Sequence, residues 1–65
     1  MLNKAVFNTD THEIRIENNG RAGWLLRIYE VKHGVKEISE EHLLQYYSTA
    51  YMYIEEYFFK REQPV

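Results

Sequence analysis

The chain has no cysteine, a single proline at position 64 and only three glycines. Without thiols, disulfide staples and thiolate zinc sites are both excluded. His12, His33 and His42 are too scattered in sequence to suggest a ligand pair, so no metal or other cofactor is expected. No apolar run approaches the roughly 18 residues of a membrane span, and the start, Met1-Leu2-Asn3-Lys4, lacks the apolar core of a signal peptide. A cytoplasmic protein without membrane contact is the expectation. Gly-rich phosphate loops, metal spacings and nucleophile–base pairings are also missing. These absences speak against an enzyme and for a protein that acts by binding.

What is present is apolar and aromatic. The chain has 65 residues, 45% of them hydrophobic and 15% aromatic. A domain this short buries only about 60% of the surface its unfolded form exposes. With staples excluded, it needs a dense core or a partner subunit. The net charge of −2 gives no strong bias toward nucleic acid. Positions 1–38 carry six bases against five acids, while 39–65 carry Lys60 and Arg61 against five glutamates. The acidic character is therefore concentrated in the C-terminal part.

Residues 12–17, His-Glu-Ile-Arg-Ile-Glu, alternate with a period of two, the mark of a half-buried strand. Trp24, Leu26 and Ile28 alternate in the same way beyond Asn18-Asn19-Gly20. A three-residue loop there pairs Glu17 with Arg21 and Ile14 with Trp24, putting the large apolar groups on one face. A similar loop at Lys32-His33-Gly34 sets Glu30 against Lys36 and Ile28 against Ile38. A two-residue turn would instead oppose Glu30 and Glu37. Both three-residue loops call for a left-handed glycine, at Gly20 and Gly34. Residues 2–7 form an edge strand in which Val6 or Phe7 faces inward.

Ser39 is a suitable N-cap, Glu40 and Glu41 favour the positive end of a helix dipole, and Ile38 with Leu43 forms a hydrophobic staple. The expected architecture is α+β: a single domain, 1–65, with a four-stranded antiparallel meander (ββββα). Strands fall at about 2–7, 12–17, 21–31 and 35–38, and one long C-terminal helix, about 40–61, packs on one sheet face.

On such a helix Leu43, Leu44, Tyr47, Tyr51, Ile54 and Phe58 form a core stripe. Tyr46, Ala50, Tyr53 and Tyr57 form a second stripe beside it, and together the two are wider than one sheet face requires. Tyrosines around an alanine suit a dimer or partner interface. The expected protein is a non-enzymatic regulator, homodimeric through this ridge, that binds and inhibits or modulates an unidentified protein. An acidic, tyrosine-rich helix could dock on a basic partner, as small phage-type inhibitors do.

A second function class uses the outer sheet face, which carries Arg15, Arg21, Arg27 and Tyr29. The stretch Gly-x-x-Gly-Trp-x-x-x-Ile from Gly20 to Ile28 resembles the integrase arm-binding domains and their plant-type counterparts, over about half the chain. That resemblance implies a sheet face laid in a DNA major groove. Glu13 and Glu17 dilute the bases, so nucleic acid ranks second.

Overall fold

The computed structural model describes residues 3–62, with the side chains of Arg61 and Glu62 left out of account. The chain runs β1 (Lys4–Asn8), β2 (His12–Asn18), a 3-10 turn (Gly20–Ala22), β3 (Trp24–Lys32), β4 (Val35–Leu44) and α1 (Thr49–Glu62). The four strands make one antiparallel sheet in the order β1-β2-β3-β4, followed by the single helix. This is the expected ββββα fold. The proposed strand position at Leu2 lies outside the described residues.

Alternation in β2 and β3 dictates the core. Ile14, Ile16, Leu26 and Ile28 point to one side and are buried there with Leu44, Ala50 and Tyr57. Ala5, Trp24, Tyr47, Ile54 and Phe58 pack around them, partly covered. On β1, Ala5 and Phe7 pair with Ile16 and Ile14. Phe7, and not Val6, therefore takes the helix side.

The first hairpin keeps the expected facing but not the expected partners. Ile14 lies opposite Ile28 and Asn18 opposite Trp24, four residues further along β3 than a three-residue loop would give. An even shift preserves which side chains share a face. Within this longer loop Gly23, at φ 103°, passes so close to β4 that a Cβ there would run into the Leu44 carbonyl oxygen. The Asn18 side-chain oxygen accepts the Gly20 N–H at 2.8 Å, and the Asn19 N–H bonds to the Gly23 carbonyl at 2.8 Å.

The second hairpin departs from expectation twice. Its turn has two residues, His33 at φ 54° and Gly34 at φ 78°, the paired positive angles of the tight turn that matches strand twist. Glu30 and Glu37 do oppose each other. Lys32 lies 3.1 Å from Glu30 and relieves that contact. Such a turn alone would put β4 out of phase with β3. A bulge corrects it: Tyr29 pairs with Ile38 but Ile28 with Glu40, which leaves Ser39 as the extra residue.

That bulge overturns the expected helix start at Ser39. Residues 40–44 continue as strand beside Trp24–Ile28, with Leu44 buried and Leu43 58% exposed on the opposite face. The Ile38–Leu43 staple does not form, and Ile38 does not meet Ile28. The physical reason lies in β3, whose Trp24–Ile28 half would otherwise lack a hydrogen-bonding neighbour on that side. The helix begins nine residues later than position 40, at Thr49. Its first turn is tightened by bonds from Thr49, Ala50 and Tyr51 N–H to the carbonyls of Tyr46, Tyr47 and Ser48.

Candidate interaction site

The later helix start rearranges the tyrosine ridge. Tyr46 falls in the β4–α1 turn and is 62% exposed, while Ala50 is fully buried in the core. Tyr57 is also buried. Its hydroxyl lies 2.7 Å from Ser39 Oγ and 3.3 Å from His12 Nε2. His12 Nδ1 in turn meets the Thr11 hydroxyl at 2.7 Å. This chain of hydrogen bonds ties the C-terminal half of α1 to the sheet. Tyr53 tilts its ring over His42, with centroids 4.5 Å apart. Tyr46, Ala50, Tyr53 and Tyr57 therefore do not share one exposed surface.

Four other side chains do. Met52, Glu55, Glu56 and Phe59 point away from the sheet and line an open depression of about 380 Å³. Met52 is 70% and Phe59 62% exposed. Neither residue belongs to the two stripes drawn from the sequence. Along α1, Ala50, Ile54, Tyr57 and Phe58 form the inward stripe, and Met52 and Phe59 lie on the back.

A smaller depression of about 120 Å³ lies between β4 and α1, lined by Glu40, His42, Tyr53, Glu56, Tyr57 and Lys60. Glu56 belongs to both depressions, so the two adjoin. His42 Nε2 approaches Glu40 at 2.9 Å, and Lys60 reaches Glu56 at 3.0 Å. That contact with Glu56 holds the Lys60 ammonium above its ordinary pKa. Glu55 completes an acidic strip between two apolar side chains.

The other sheet face is open and charge-balanced. Arg15 and Arg27 lie directly opposite each other there, with Tyr29 beside them, while Arg21 sits apart on the 3-10 turn. Arg15 Nε is 2.7 Å from Glu13 and Arg27 Nε is 2.7 Å from Glu41. These hydrogen bonds raise the pKa of both guanidinium groups. Lys36 adds a contact to Glu13 at 3.3 Å and stands 5.6 Å over the Tyr29 ring. A phosphate approaching this face would have to displace carboxylates already in place.

Among the described residues no helix is long and apolar enough to cross a membrane. No protein-family model, curated protein or solved structure matches the chain.

Proposed function

We propose that this chain is a non-enzymatic interaction protein that regulates a macromolecular partner through the outward face of α1. The observation that carries the proposal is the pair of exposed apolar side chains, Met52 and Phe59, bracketing Glu55 and Glu56 around one depression. An apolar anchor beside unburied charge is the composition of a docking surface. Two-fold pairing of this face would set Glu55 and Glu56 against their own copies, and like charges in contact are costly. The complementary partner is instead a segment with apolar side chains flanked by lysine or arginine, such as a basic amphipathic helix.

Affinity capture from the native cell, followed by reconstitution of the captured protein in pure form, tests this. Phe59→Asp and Met52→Asp leave the core untouched and should each weaken the purified complex at least tenfold. Affinity should also fall as salt is raised. An unchanged affinity in both variants would remove α1 from the interface. Sequence-dependent duplex DNA binding lost on Arg27→Ala would move function to the open sheet face.

A further inference from the structure

The sheet has two edges, and they are built differently. β4 carries the bulge at Ser39 and the charged residues Lys36, Glu37, Glu40 and Glu41, the usual devices against edge-to-edge pairing. β1 reads Lys-Ala-Val-Phe-Asn, with one charge and an unbroken register against β2. Its large side chains stand exposed, Val6 at 39% on the open face and Phe7 at 41% on the helix side. Tyr51, 45% exposed, packs edge-on against Phe7 with centroids 6.3 Å apart. The Tyr47 hydroxyl, 2.6 Å away, fixes the Tyr51 ring in place.

The hydrogen-bond phase of β1 shows which backbone groups face outward. Asn18 N–H bonds to the Asn3 carbonyl and Thr9 N–H to the His12 carbonyl. Bonded pairs alternate along an antiparallel ladder, so Asn3, Ala5, Phe7 and Thr9 direct their backbone groups to β2. Lys4, Val6 and Asn8 direct theirs to the open edge.

From this we infer that the β1 edge pairs with β1 of a second copy, antiparallel about Val6, to give one continuous eight-stranded sheet. In that register Val6 meets its own copy, Lys4 lies opposite Asn8 and Ala5 opposite Phe7. No like charges oppose each other, and all three outward-facing residues find partners in the phase the ladder requires. One junction shields Val6, Phe7 and Tyr51 of both chains. The two-fold axis is normal to the sheet, a closed arrangement that consumes the edge. Both α1 helices then lie on the same side of the sheet, with their Met52–Phe59 faces turned outward together. The inference does not depend on what those faces bind.

Sedimentation from micromolar to millimolar concentration tests it, read together with amide exchange. The mass should rise from 7.9 kDa toward twice that value. Lys4, Val6 and Asn8 amides should gain at least tenfold protection as it does, with Ala5 and Phe7 already protected at low concentration. Val6→Pro removes an N–H that the monomer's ladder does not use, so the variant should fold and remain monomeric. Met52→Asp should dimerise like the wild type. A wild-type mass of one chain throughout would overturn the inference, as would a folded Val6→Pro variant that still dimerises. If Val6→Pro fails to fold, Val6→Lys decides in its place by setting two ammonium groups together at the axis. Undiminished dimerisation of Val6→Lys overturns the pairing, and its loss supports it. Protection of β1 amides only on adding another protein would assign the edge to a different strand and overturn self-pairing.

Discussion

The two faces of the sheet are made from the same strands, residue by residue in alternation, yet they answer to different physics. On the covered face Ile16, Leu26 and Ile28 are completely buried, and each missing methylene would leave a void. On the open face Glu13, Arg15, Arg27 and Glu41 are joined by contacts of 2.7 Å between groups that water also reaches. The covered face holds stability in packing, whereas the open face holds only the small surplus of solvated ion pairs over hydration. Surfaces that can change partners are therefore the open face, the back of α1 and the β1 edge.

The sharpest way to break this comparison is to remove equal side chains from the two faces. Leu26→Ala should cost about 2–5 kcal/mol in urea unfolding, a large share of what a domain this small possesses. Leu43→Ala, on the open face, should stay within about 0.5 kcal/mol. Equal costs would mean that the covered face is not the core.

Glycines sharpen it next, because two of them hold positive φ in opposite surroundings. A Cβ at Gly23 would strike the Leu44 backbone, while nothing lies within 4 Å of one at Gly34. Gly23→Ala should cost about 3 kcal/mol or more, combining backbone strain with a collision against β4. Gly34→Ala should cost about 1 kcal/mol, from the left-handed angle alone. Thermal unfolding of the two variants decides, and a neutral Gly23→Ala would mean that β4 does not pass so close.

What the sequence discloses follows the same division. Facing in β2 and β3 is legible because alternation of Ile14, Ile16, Leu26 and Ile28 depends only on parity, which survives a shifted register. The need for positive φ at Gly20 and Gly34 is legible for the same local reason. The span 38–44 misleads because Ser39-Glu40-Glu41 satisfies local helix rules while the pairing demand of β3 lies ten or more residues away. Tertiary pairing overrides propensity there. The candidate site inherits that displacement: with positions 40–44 in the sheet, the helix face laid on it is Ala50, Ile54, Tyr57 and Phe58, so Ala50 and Tyr57 are core and not interface. Of the site residues expected on the helix, only Tyr46 and Tyr53 keep substantial exposure.

The smallest expected effect belongs to the open face and concerns acid. The hydrogen bond from Arg15, reinforced by Lys36, holds the Glu13 carboxyl below its ordinary value of 4.5 against the opposing effect of burial. A carboxyl whose pKa is depressed on folding contributes stability that is fully present above its unfolded value. That contribution disappears as pH falls through the folded value. Melting temperature should therefore be insensitive to this group near neutrality and should decline below about pH 4.5. Glu13→Gln cannot titrate, so its melting temperature should fall less steeply over the same acid range. The wild-type excess should shrink in high salt, since these groups are solvated. Identical acid slopes for wild type and Glu13→Gln would show that the ion pairs of the open face contribute nothing measurable. A wild-type excess larger than the loss from Gly34→Ala would show the reverse: a face open to water storing more stability than a turn, which would end the contrast between the two faces.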